Sequence, residues 1–99
     1  MADEATFRAL AQDLRRHSAA REWELLQAAD ALLRRAWQRA PAPGARNEAL
    51  ARAMADVLVA HAQAHVLAQR AAGDARRRLG ALGPWREGAL GYLRMNDDR

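Results

Sequence analysis

The chain has 99 residues and a formal net charge of +4, and it contains no cysteine. This length allows one small domain, and the lack of cysteine excludes disulfide bonds, zinc–thiolate sites and cysteine nucleophiles. The positive charge is spread along the chain, so the sequence has no basic arm of the kind that binds nucleic acid.

The composition favours an all-α fold. Alanine, leucine and arginine, which are good helix formers, dominate the sequence. The β-branched residues that strands prefer are few, namely Thr6, Val57, Val59 and Val66. We therefore predict a single helical domain over residues 1–99.

The first predicted helix covers residues 3–39, where two stripes of residues recur at steps of three and four. We expect the first stripe to form the seam of the packed helices; it contains Phe7, Ala11, Leu14, Ser18, Glu22, Leu25, Ala29, Leu32 and Ala36. We expect the second stripe to lie at the edge of that seam; it contains Trp23, Leu26, Asp30, Leu33 and Trp37. The first stripe turns polar between His17 and Arg21. A kink or break is therefore an alternative there, with Ser18 as the cap of a fresh helix.

A loop at residues 40–46 separates the first helix from the second. Its two prolines and its glycine end helices, and Asn47 can cap the helix that follows. A heptad rhythm from Leu50 to Leu82 predicts a helix over residues 47–82 that supercoils with a partner helix. Ion pairs with the acid four residues before the arginine are expected on exposed faces, namely Asp30 with Arg34, Glu48 with Arg52, and Asp74 with Arg78.

A short third helix is expected at residues 84–95, after Gly83 and Pro84 end the second one. We expect its large side chains, Trp85, Leu90 and Tyr92, to hold it as a mobile cover over the other helices. The predicted architecture is an antiparallel hairpin of two long helices plus this short helix. Dimerisation can complete such a hairpin as a bundle.

Two histidines carry metal-ligand spacing. His61 and His65 form H-x-x-x-H on one helical face, but a zinc protease would have glutamate after the first histidine, and no third ligand is visible. We expect seam or interface histidines, with no metal and no cofactor.

Other function classes find little support in the residues. The sequence has no glycine-rich phosphate loop or nucleophile elbow, so no enzyme activity is expected. Arg76, Arg77 and Arg78 point about 100° apart on a helix and lack interleaved aromatic residues, which argues against a nucleic-acid site. No apolar run has the length of a membrane span, and the acidic N-terminus is unlike a signal peptide, so a cytoplasmic protein is expected.

Several short motifs follow one another along the chain in a particular order. They are Arg21-Glu22-Trp23-Glu24-Leu25-Leu26, then Leu32-Leu33-Arg34, a Pro/Gly loop, an arginine-rich turn at residues 75–82, and Ala89-Leu90-Gly91-Tyr92. In order and spacing this series resembles the FliT family, the small helical chaperones of flagellar type III export. The resemblance covers roughly residues 7–93.

The resemblance implies a flagellar export chaperone. Its partner would be the filament-cap protein, bound through that protein's C-terminal amphipathic helix and delivered to the export ATPase. Enteric relatives also restrain the flagellar master transcription activator. An apolar groove binds such a helix, and tryptophan is a favoured anchor. The expected partner-binding residues are Trp23, Leu26, Leu33, Trp37, Met54, Leu58 and His61. The alternatives are a homodimeric structural bundle and a protein-binding inhibitor of a transcription regulator.

Overall fold

A computed structural model of the chain describes residues 2–82. Within this range the regular structure is entirely helical. Helix α1 is Glu4–Ala19, helix α2 is Trp23–Gln38, a single 3₁₀ turn covers Pro43–Ala45, and helix α3 is Glu48–Ala81. The prediction of an all-α fold is thus confirmed for the described residues.

Side-chain caps define where α1 and α3 begin. The Asp3 carboxylate accepts a hydrogen bond of 3.0 Å from the backbone N–H of Thr6. The side-chain carbonyl of Asn47 accepts one of 2.7 Å from the backbone N–H of Leu50, which confirms the predicted cap of the last helix. Each cap satisfies one of the backbone donors that a helix leaves unpaired in its first turn.

The single helix predicted over residues 3–39 is wrong, because the chain breaks into α1 and α2. Arg21 has a φ of 58°, in the left-handed region. The N–H of Glu22 donates to the carbonyl of His17 at 2.9 Å, and the N–H of Arg21 donates to that of Ser18 at 3.2 Å. This pair of bonds is a Schellman motif, which ends a helix and satisfies its last carbonyls.

Ser18 is not the cap that the alternative prediction assigned to it. Its side chain is buried, and its hydroxyl donates to the carbonyl of Arg15 at 3.1 Å. Glu22 precedes α2 without a capping side-chain bond, and its carboxylate instead lies 3.2 Å from Nδ1 of His17. The break therefore depends on backbone bonds and not on a serine cap.

Helices α1 and α2 are antiparallel neighbours. The N–H of Ala2, just before α1, donates to the carbonyl of Arg39, just after α2, at 3.4 Å. Phe7 and Trp37 meet edge to face, with ring centroids 5.9 Å apart and an interplanar angle of 80°. The start of α1 therefore lies beside the end of α2.

Helix α3 contacts both of the others before Ala68. Arg15 of α1 pairs with Asp56, its guanidinium Nη2 lying 2.6 Å from the carboxylate. Asp30 of α2 lies 2.5 Å from Nε2 of His61. With the chain reversals at the two loops, α1 and α3 run parallel and α2 runs antiparallel to both. The predicted hairpin of two long helices is not confirmed, and completion by dimerisation stays a prediction.

The core lies between these three helices and is rich in alanine. Its largest fully buried side chains are Phe7, Leu14 and Val57. The other buried members are Ala2, Leu10, Ala11, Leu26, Ala29, Leu33, Ala36, Leu50, Ala53, Met54, Ala60 and Ala64. Small residues at these positions let the helices approach closely, although each buries little apolar area.

The assignment of the two stripes on α2 is wrong at its leucines. Leu25 and Leu32, expected in the seam, are 49% and 52% exposed, whereas Leu26 and Leu33, expected at the edge, are 8% and 5% exposed. The physical reason is that α2 packs against α1 and α3 together. Its buried face therefore lies between the two stripes, and it takes alanines from the first and leucines from the second.

A second unit begins at Gln69 and includes the rest of α3. Leu79 and Leu82 are about half exposed there. Asp74 pairs with Arg77, not with Arg78 as expected.

The other two predicted pairs are confirmed, Asp30 with Arg34 at 3.0 Å and Glu48 with Arg52 at 2.5 Å.

The expected helix at residues 84–95 lies outside the described residues, and so does the expected cover of Trp85, Leu90 and Tyr92. A single domain over residues 1–99 likewise stays a prediction. None of the described helices combines the length and the apolar character that a membrane crossing requires.

Candidate functional site

The seven residues expected to bind a partner do not form one exposed surface. Leu26, Leu33 and Met54 are buried in the core. Trp23, Trp37 and His61 are partly buried, and Leu58 is 49% exposed. Burial removes these first three from the accessible surface, and the partner-binding role expected of the seven residues stays a prediction.

Trp37 is partly buried and packs against the end of the core. Besides its edge-to-face contact with Phe7, its ring lies 5.9 Å from the guanidinium carbon of Arg46. Arg46 is held over the ring by a hydrogen bond of 2.9 Å from its Nε to the carbonyl of Pro41. The tryptophan therefore anchors the loop between α2 and α3, and a cation–π contact adds to its burial.

The exposed leucines of α2 mark a different surface, which we name the α1–α2 groove. It is a depression of about 470 Å³. Its lining residues are Ala2, Thr6, Ala9, Leu10, Asp13, Leu32, Arg35, Ala36 and Arg39. Leu25 precedes Leu32 by seven residues, or two helical turns, and so lies on the same side of α2.

The charge of the α1–α2 groove is positive on its α2 side. Arg35 and Arg39 line it, and neither has an ion-pair partner among residues 2–82. The one acidic residue in the lining, Asp13, lies 2.9 Å from Nη2 of Arg16. The groove therefore combines an apolar floor with two guanidinium groups that have no ion-pair partner in the described part of the chain.

A second feature lies where α2 meets α3, and we name it the histidine cluster: Asp30, His61 and His65. The two histidines lie one turn apart on α3, with ring centroids 4.3 Å apart and planes inclined by 49°. Each of the three residues offers an oxygen or nitrogen atom, and these atoms all lie within 4.8 Å of one another. The cluster groups two imidazoles with one carboxylate, a ligand set that suits divalent transition metals.

A pocket of about 350 Å³ opens beside the histidine cluster. Its lining includes Asp30 and His65, together with Trp23, Leu26, Gln27, Arg34 and Ala68. Trp23, which was expected to anchor a partner, therefore forms part of the wall of a pocket that also contains ionisable groups.

The contact between α1 and α3 is also electrostatic. Arg15 donates two hydrogen bonds to Asp56, of 3.1 Å and 2.6 Å. These bonds lower the pKa of the Asp56 carboxyl and raise the pKa of the Arg15 guanidinium. Both side chains are about half exposed, so water screens the pair. The pair joins α1 to α3 through their side chains.

No protein-family model, curated protein or solved structure matches the chain. The resemblance to the FliT family therefore depends on the order of the sequence motifs alone.

The histidine cluster is the part of the site that the sequence reading missed. The prediction that no metal binds depended on the lack of a third ligand in the sequence. In the structure, however, Asp30 lies beside the two histidines. One signal was present in the sequence, because Asp30 interrupts an apolar stripe on one helix and His61 lies in the heptad seam of another. Charged residues in seams are usually paired, so the two interruptions could have been matched.

Proposed function

We propose that this protein binds an amphipathic helical segment of another protein, as a chaperone of flagellar type III export. The observation that carries the proposal is the exposure of Leu25 and Leu32, at 49% and 52%, on the side of α2 that borders the α1–α2 groove. Leucines spaced by two helical turns are the anchors that a docked helix would contact.

The positive charge of the groove favours a partner helix that carries acidic residues. Arg35 and Arg39 lie one turn apart beside Leu32, so a docked helix with acidic residues along the margin of its apolar stripe would pair with them. The C-terminal helix of the filament-cap protein is the candidate that the motif resemblance implies, and delivery to the export ATPase belongs to the same proposal. The proposed role requires no catalysis.

Calorimetric titration of the full chain with a peptide of the filament-cap C-terminal segment tests the proposal. Covering the exposed half of a leucine contributes about 0.8–1.5 kcal/mol, so Leu32→Ala should weaken binding roughly four- to tenfold. Leu79→Ala is the matched control, because Leu79 is 50% exposed and lies in the second unit. Equal losses in both variants, or no binding by the parent chain, would contradict the proposal.

A homodimeric bundle is the second candidate, and a separate observation favours it. Val59 and Val66 are 51% and 45% exposed and lie seven residues apart on α3, which is the spacing of a coiled-coil seam. Sedimentation equilibrium of the parent chain and of Val59→Glu tests whether the protein forms this homodimer. A dimer that the glutamate dissociates supports the bundle, whereas a monomeric parent chain contradicts it.

A further inference from the structure

We propose that Asp30, His61 and His65 bind one divalent transition metal ion, of which Zn²⁺ is the representative. The histidine cluster joins two helices that are far apart in sequence, with the carboxylate on α2 and both imidazoles on α3. This activity is separate from partner binding, because the α1–α2 groove lies on the side of α2 that faces α1.

The spacing of the three donor atoms is close to what a zinc ion requires. Zinc binds imidazole nitrogen and carboxylate oxygen at about 2.0–2.2 Å, so tetrahedral donors lie roughly 3.3 Å from one another. Oδ1 of Asp30 and Nε2 of His61 are 2.5 Å apart, and all three donor atoms lie within 4.8 Å. The hydrogen-bonded pair must open by about 0.8 Å to admit the ion, and the remaining donor must approach. Side-chain rotation supplies both movements, since His65 is exposed and His61 is only partly buried.

The two oxygens of the Asp30 carboxylate face different neighbours. Oδ1 faces His61, and Oδ2 lies 3.0 Å from Nη2 of Arg34. A carboxylate that binds metal through one oxygen is commonly held by a hydrogen bond at the other, which orients it. The Arg34 side chain is 77% exposed, so its positive charge opposes the bound ion only weakly across water.

A zinc ion at the histidine cluster would keep one open coordination position. Three protein ligands leave the fourth position of a tetrahedral zinc ion to water or to another small molecule. The pocket of about 350 Å³ that Asp30 and His65 line is on hand to receive that fourth ligand. Gln27 also lines this pocket and offers a side-chain amide that can hydrogen-bond a zinc-bound water.

The competing interpretation is a hydrogen-bonded Asp30–His61 pair with a second, inclined histidine ring beside it. That interpretation explains the 2.5 Å contact but gives no role to His65, which has no hydrogen bond to any of residues 2–82. A metal ion gives all three side chains a common partner.

Zinc binding to the purified full chain tests the proposal, measured by competition with a chromophoric chelator. Three isosteric or near-isosteric variants are compared: His65→Gln, Asp30→Asn and His17→Gln. Loss of a direct ligand should weaken binding at least about tenfold, since even outer-shell changes have effects of that size. His17 pairs with Glu22 at the α1–α2 turn and is the matched control.

The expected result is one Zn²⁺ per parent chain, weaker binding in His65→Gln and Asp30→Asn, and unchanged binding in His17→Gln. Zinc should also raise the Tm of the parent chain but not that of His65→Gln, because a ligand that binds only the folded state stabilises it. Substitution of Co²⁺ should give the intense visible bands of a low-coordinate site. The proposal is overturned if the parent binds no better than His65→Gln. Parent-like binding by Asp30→Asn would also overturn it, since two histidines on one helix would then be sufficient.

Discussion

Leu32 and Leu33 are adjacent in sequence and have opposite environments, which makes them a direct test of how α2 packs. Leu33 is 5% exposed within the core, and Leu32 is 52% exposed at the α1–α2 groove. Leu→Ala at buried positions destabilises proteins by roughly 2–5 kcal/mol. We expect Leu33→Ala to lower the free energy of unfolding by about 2–3 kcal/mol, at the lower end because a thin core of this kind can partly close around the space.

Leu32→Ala should cost about 1 kcal/mol or less, because half of the side chain is already in water and alanine is the better helix former. The difference of about 2 kcal/mol corresponds to roughly 8–16 °C in Tm for a domain of this size. Thermal and urea unfolding followed by circular dichroism measure both variants under the same conditions. If Leu32→Ala lost as much stability as Leu33→Ala, the buried face of α2 would be rotated from the one described.

Three further predictions concern the helix ends and the α1–α3 ion pair. Asn47→Ala should lower the free energy of unfolding by about 1 kcal/mol, whereas Asn47→Asp should retain most of the cap, as judged by urea unfolding. At position 21, glycine should give a more stable protein than alanine by about 1 kcal/mol, because the left-handed φ of 58° penalises a Cβ atom; the opposite order would show that the turn is not held in that conformation. The hydrogen bonds from Arg15 lower the pKa of the Asp56 carboxyl below its ordinary 3.8. Their contribution to the free energy of unfolding is therefore present above pH 3.8 and is lost as the pH falls through the lowered pKa. Asp56→Asn should therefore flatten the acid side of the stability profile, and unfolding measured from pH 7 down to pH 2 should show no such change if the pair is absent in solution.

The features that follow from local chemistry were predictable from the sequence. The last helix, predicted over residues 47–82, is Glu48–Ala81. Its start is set by a strong cap directly after a proline-containing loop, and its length follows from the heptad pattern, so each signal can be read from the sequence. The break at Arg21 was expected only as an alternative and with the wrong mechanism. A Schellman motif usually has glycine in its left-handed position, and an arginine there gives no signal in the sequence.

The features that depend on packing were less accessible. Leu25 and Leu26 belong to stripes of equal helical period, so periodicity alone cannot decide which one is buried. That choice depends on the simultaneous contact of α2 with α1 and α3. The histidine cluster depends on the same packing, since Asp30 precedes His61 by 31 residues and reaches it only when α2 and α3 are antiparallel.

The two sides of α2 carry different chemistry, which makes the two proposed activities separable. Leu32, Arg35 and Arg39 face the groove with α1, whereas Asp30 faces the imidazoles of α3. Since no side-chain hydrogen bond or ion pair among residues 2–82 joins the two sets, substitutions in one set should leave the free energy of binding at the other nearly unchanged. Coupling between them would require a shift of α2 as a whole. A zinc ion that holds α2 against α3 opposes such a shift, so any coupling should appear as a change in peptide affinity when zinc is added.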